Sequence, residues 1–130
     1  MADLYERKAE AVAGTSRRAP TALVGRWRIV EMDLWAQEDV DLVAPGFIDF
    51  GADHMGSLGF IAVQGGLDWR DAPRDGCPGV EFSWEGFDEG DPATGRGWAV
   101  IDENGSLRGR IFFHLGDDSG FRAERTGRAP

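Results

Sequence analysis

Cysteine, lysine and histidine are almost missing from this chain. Among 130 residues there is one cysteine, Cys77, one lysine, Lys8, and two histidines, His54 and His114. A single cysteine excludes an internal disulfide. No His or Lys stands beside it in "RDGCPGV" to mark it as a nucleophile. The spacings H-x-x-x-H, H-E-x-x-H and C-x-x-C do not occur, so no zinc site and no metal are expected. A P-loop, a G-x-S-x-G elbow and a G-x-G-x-x-G in strand–helix context are also missing. No cofactor is therefore expected. No apolar run is long enough for a membrane-spanning helix. The N-terminus has neither the basic start nor the apolar run of a secretory signal, so a cytoplasmic protein is expected, without a membrane. Fourteen basic residues against 23 acidic ones give a formal charge of −9. Nucleic acid is not an expected partner, since phosphate binding needs clustered Lys and Arg.

What is present points to a small β-rich globule. The hydrophobic fraction is 42%, with five tryptophans and 19 glycines, enough for one core in a chain of one-domain length. Residues 1–22 are set apart as a tail, helical or disordered. "ADLYERKAEAVAG" holds helix formers with a thin apolar stripe, and "GTSRRAP" reads as a linker. Residues 23–130 form a single domain in which the hydrophobic period becomes two.

The first strand is expected over Gly25–Trp35. Trp27, Ile29, Glu31, Asp33 and Trp35 fall on one face, and Arg28, Val30, Met32 and Leu34 on the other. A short helical turn ending at Pro45, the strand "GFIDF" and the turn "GADHMG" follow. Gly65-Gly66 is expected to turn a hairpin between "SLGFIAVQ" and "LDWR". "VEFSWEGF" puts Val80, Phe82 and Trp84 on one face and Glu81, Ser83 and Glu85 on the other. "FDEGDPATGRG" reads as a hairpin loop. Its carboxylates Asp88, Glu89 and Asp91 do not follow the alternating oxygen pattern of a calcium loop. Asn104-Gly105 is the strongest hairpin signal. As a two-residue turn it pairs Trp98 with Ile111 and Val100 with Gly109 as a core face, and sets Gly97, Ala99 and Ile101 against Phe112, Arg110 and Arg108. A last strand, Gly120–Thr126, is expected to set Arg110 opposite Glu124.

About eight short strands joined by hairpins, with no crossover helix, close most simply into an antiparallel up-and-down β-barrel. A two-sheet sandwich is the competing architecture. Gly25-x-Trp27 on the first strand resembles the G-x-W signature of lipocalins and their relatives. That likeness implies an eight-stranded barrel whose Trp packs at the closed end near an Arg of the last strand, a part for Arg122 or Arg125. The family's middle T-D-Y motif has no counterpart here. The stretches "GRWRIVEMDLW", "VEFSWEGFDE", "GRGWAV" and "GRIFFHLGDDSGF" resemble a group of short uncharacterised bacterial proteins over roughly residues 25–124.

The informative functional feature is a face. Glu81 and Glu85 share it with Arg108, Arg110, Phe112 and His114, and Glu124 joins it in the expected register. Outside, it is a surface with cross-strand ion pairs; inside, the small Gly97 and Ala99 would leave room for a ligand. The reading drawn from this is a lipocalin-like barrel binding a small apolar or amphipathic molecule. The candidate binding residues are Trp35, Glu31, Glu85, Arg110, Phe112 and His114, with Ala36–Pro45 as a lid beside Trp35. Two alternatives stand beside it. One is an interaction module holding a basic protein partner through its acidic surface or N-terminal tail. The other is a barrel enzyme using His114 with Glu85 or Glu31, imidazole being suited to acid–base work near neutral pH.

Overall fold

A computed structural model describes residues 22–126. Eight antiparallel strands close into one barrel: β1 (Gly25–Met32), β2 (Phe47–Phe50), β3 (Met55–Phe60), β4 (Val63–Asp71), β5 (Gly79–Asp88), β6 (Asp91–Ile101), β7 (Leu107–Phe113) and β8 (Asp118–Arg125). Each pairs with its sequence neighbour, and β8 returns to β1. The helix α1 (Gln37–Val40) lies in the β1–β2 connection. The expected eight-stranded, all-β barrel is the fold observed; the expected tail over residues 1–22 lies outside the described residues, except for Ala22.

The interior is packed with side chains. Trp27, Ile48, Phe50, Phe60, Trp69, Phe82, Trp84, Ile111 and Phe121 are all buried within one cluster. An eight-stranded barrel encloses about the volume that such side chains fill. The three interior indoles spend their N–H groups on backbone carbonyls: Trp27 on Leu23 (3.0 Å), Trp69 on Met55 (3.1 Å) and Trp84 on Phe112 (3.2 Å). This satisfies their polar edge without breaking the apolar packing.

The two ends are sealed differently. At the end where β1 begins and β8 finishes, Leu23 and Trp27 are buried, and the Arg125 guanidinium lies over the Trp27 ring, 4.1 Å from its centroid. Of the two arginines named from the G-x-W likeness, Arg125 is the one that stacks; Arg122 is turned outward to Glu31 and Glu124. At the opposite end, the mouth, the β1–β2 connection folds across the opening. Val40 of α1 is fully buried there, and the Ile61 N–H donates to the Val40 carbonyl (2.7 Å). The segment expected as a lid lies at this end, and it is tied down. Arg28 donates to both Asp41 carboxylate oxygens at 2.8 and 2.9 Å, and Asp41 also accepts from the Gly46 N–H (2.8 Å) and Gln37 Nε2 (3.1 Å). The Arg28 hydrogen bonds hold the Asp41 carboxyl well below the usual carboxylate range, against the opposing effect of its partial burial.

Several expected registers are corrected. The first strand ends at Met32 rather than Trp35. Ile29 pairs with Ala123 and Glu31 with Arg122, so Val30 is an extra residue, a bulge. The bulge reverses the alternation. Trp27, Ile29 and Met32 point in, and Glu31 points out.

Gly65-Gly66 lies inside β4; the turn is Ile61-Ala62 between Phe60 and Val63. The acidic loop contracts to the two-residue turn Glu89-Gly90, with positive φ at both residues (54° and 89°), and Asp91–Thr94 join β6. At Asn104-Gly105 only Gly105 has positive φ (89°). The Asn104 side chain instead accepts from the Ser106 N–H (3.0 Å), and the loop takes one more residue. The β6–β7 register shifts by one, pairing Gly97 with Ile111 and Trp98 with Arg110. A one-residue slip exchanges the two faces. Trp98 is therefore on the outer wall, and Gly97 and Ala99 face in. The β8 strand starts at Asp118, so Arg110 faces Gly120 and not Glu124.

Candidate functional site

The inner face of β6 is built from small residues, Gly95, Gly97 and Ala99. The space they leave is taken by the rings of β5. A Cβ on Gly97 would run into the Phe82 ring and the Arg110 carbonyl oxygen. The expected interior room for a ligand is thus filled by Phe82 and Trp84, and the face carrying Glu81, Glu85, Arg108, Arg110 and Phe112 lies outside.

On that outer wall, alternation lines up rows of side chains across strands. One row runs Asp68, Ser83, Arg96, Phe112; the next runs Arg70, Glu81, Trp98, Arg110. Arg74, from the β4–β5 connection, lies over the Trp98 ring at 4.0 Å from its centroid, and Arg108 approaches it to 6.0 Å. Arg96 lies over Phe112 at 4.8 Å. Arg110 is paired with Asp118 at 3.1 Å. Arg70, Arg74, Arg96 and Arg108 make no ion pair with any described residue, although the chain as a whole is acidic. A guanidinium stacked on an aromatic face keeps its N–H edge free, and that edge suits a carboxylate or phosphate.

Three depressions on this wall join end to end. The first, about 470 Å³, is lined by Arg70, Arg74, Arg96, Trp98 and Phe112, with Asp68 and Glu81. The second, about 750 Å³, shares Asp68, Ser83 and Arg96 with it and continues past Gly66, Glu85, Thr94 and His114. The third, about 550 Å³, shares Gly66 and Glu85 with the second and is largely apolar, lined by Val43, Pro45, Phe47, Leu58, Phe60, Ile61 and Phe87. The three adjoining depressions make up a row along the wall, here called the trough, cationic and aromatic at one end and apolar at the other.

The residues expected from sequence fall into two groups. Glu85 and His114 line the middle of the trough, Phe112 lines its cationic end, and Arg110 stands in the adjoining row. Trp35 and Glu31 do not join them. Trp35 is half-buried against the core, 5.9 Å from Phe60 and 6.4 Å from Phe113 between ring centroids. Glu31 is on the β1–β8 side, 3.3 Å from Arg122. The His114 ring makes no hydrogen bond or ion pair with a described residue, so the catalytic pairing with Glu85 or Glu31 is not formed. Among the described residues there is no grouping of His, Cys, Asp and Glu able to hold a metal ion.

Sequence reasoning passed over Arg70, Arg74, Arg96 and Trp98. The signal that would have found Arg96 and Trp98 was the alternation of β6 counted in the other phase.

Comparison with family models, curated proteins and solved structures gave no match to this chain.

Proposed function

We propose that this protein binds a small amphipathic anion on the outer wall of its barrel, without catalysing a reaction. The observation that carries the reading is the joining of two unlike surfaces. Arginines lacking carboxylate partners among the described residues stand on the half-buried rings of Trp98 and Phe112 at one end of the trough, and an apolar groove lies at the other. An anionic head would meet Arg96, Arg74 and Arg70 through charge-assisted hydrogen bonds. An apolar tail would run past Gly66 towards Phe47 and Phe87, where burial contributes roughly 25 cal/mol per Å². Glu85, between the two, opposes a negative group placed at mid-trough and so sets the direction of the ligand.

The likeness to the lipocalin group belongs to the same proposal, supported by the stacking of Arg125 on Trp27. The cytoplasmic location belongs to it as well, in keeping with the lone unpaired thiol of Cys77.

Calorimetric titration with decanoate, decanol and decylamine tests the reading. Decanoate is expected to bind best, and Arg96→Ala to weaken it roughly tenfold, the loss of one charge-assisted hydrogen bond. Equal binding of the three compounds, or an Arg96→Ala variant that binds decanoate as well as the parent, refutes it.

A further inference from the structure

Five of the six exposed large apolar side chains among the described residues stand at the mouth end. They are Leu34, Leu42 and Val43 in the β1–β2 connection, Phe87 near the end of β5, and Leu115 between β7 and β8. Leu115 is the extreme case, at 94% exposure. It also has φ +58°, at the third position of a turn closed by the Gly116 N–H on the Phe113 carbonyl (3.0 Å). A positive φ there is ordinarily given to Gly or Asn, because a Cβ is strained in that region. Positive φ falls on glycine at Gly76, Gly90 and Gly105, but also on His54, Ile61, Asp75 and Glu89. Among the described non-glycine residues with positive φ, Leu115 alone is a large exposed apolar side chain. At residue 115 the fold keeps a leucine although Gly116 is adjacent. The backbone strain and the full exposure bring no return within the molecule. Such an outlier is a reason to look for function.

The surroundings identify what would cover it. The segments 33–46, 61–62, 88–91 and 114–118, which make up this end, contain nine carboxylates and neither Lys nor Arg. Asp41 is held by Arg28 and Asp118 by Arg110; the other seven make no ion pair among the described residues. Apolar groups framed by one sign of charge fit a partner of the opposite sign. A second copy would bring its own carboxylates against these, and an anionic lipid surface would be repelled in the same way.

We infer that the mouth collar docks a cationic amphipathic segment of another protein. An apolar side chain of that segment seats on Leu115 and Leu34, and its Lys or Arg side chains meet the carboxylates around them. This is the helix-on-apolar-surface mode of recognition, with the acidic frame setting orientation and on-rate. The collar is separate from the cationic end of the trough and meets the apolar end at Val43 and Phe87.

The test uses the full chain, isotopically labelled, and two peptides of about 18 residues, long enough to sustain an amphipathic helix on contact. One has Leu and Lys at helical spacing; the other has the same Lys positions with Ser in place of Leu. The Leu/Lys peptide is expected to bind, with amide shift changes gathered at Leu34, Leu42 and Leu115. Leu115→Gly, which suits the backbone, is expected to weaken it roughly tenfold, as loss of an anchor does, while leaving decanoate binding unchanged. Four results overturn the inference: no binding of the Leu/Lys peptide, equal binding of the Ser peptide, full affinity in Leu115→Gly, or a concentration-dependent dimer that Leu115→Gly dissolves.

Discussion

The guanidinium of Arg125 covers the Trp27 indole at 4.1 Å and donates to the carbonyl oxygens of Ala22 and Val24, both at 2.7 Å. One side chain of the last strand thereby caps the first tryptophan of the core and satisfies two carbonyls of the segment leading into the first strand. Gly25 keeps the space open, since a Cβ there would lie 2.8 Å from the guanidinium.

Arg125→Ala is expected to lower unfolding free energy by about 1–2 kcal/mol, from a cation–π contact and two hydrogen bonds on an exposed side chain. Arg125→Lys should recover little, because an ammonium does not present the planar fork that reaches both carbonyls. Urea unfolding of the three proteins decides it. A lysine variant as stable as the parent would reduce the interaction to its charge.

Asp41 makes stability depend on acid. Its carboxyl titrates below the ordinary carboxylate value in the folded chain. The folded state therefore binds this proton less readily than the unfolded state, and stability falls as pH falls. The contribution is complete above the unfolded pKa of about 3.9, and it is lost as pH drops towards the folded value. Asp41→Asn is expected to cost about 1–2 kcal/mol at neutral pH, the pair being partly exposed. Thermal melts of both proteins from neutral to acid pH should converge at the acid end. A constant gap across the range would show that the carboxylate charge does not matter.

Gly97→Val tests the packed interior. A side chain there meets the Phe82 ring inside the barrel, and overpacking of this kind costs about 1–3 kcal/mol. A variant as stable as the parent would mean that the interior has room to spare.

Leu115→Gly is expected to stabilise the free protein. Relief of a strained left-handed backbone is worth on the order of 1–3 kcal/mol, against about 0.5–1 kcal/mol for the extra freedom of glycine in the unfolded chain. The net gain is about 1 kcal/mol, read from denaturant midpoints at unchanged slope. A loss of stability would show that the leucine side chain contributes to the fold.

The barrel was legible because its pairings are local. Seven of the eight strand pairs join sequence neighbours, so alternation and turn chemistry report them directly. Phase was harder. At Asn104 a side-chain hydrogen bond to Ser106 replaced the positive φ that the Asn-Gly pair suggested, and this one residue turned Trp98 from core to surface. The bulge at Val30 leaves no compositional mark, yet it decides that Glu31 points out. In the candidate site, Glu85 and His114 were found by their shared face. Arg74 came together with Trp98 only through the β4–β5 connection, whose path alternation does not encode.

The seam between β1 and β8 has a mechanical consequence. These strands run antiparallel and are neighbours, so Gly25 and Arg125, at the two ends of the barrel chain, lie at the same end of the seam. A force drawing these ends apart would load the Trp27–Arg125 pairing first and then each following pair in turn, opening the barrel like a zip. Under tension the wall would yield one rung at a time.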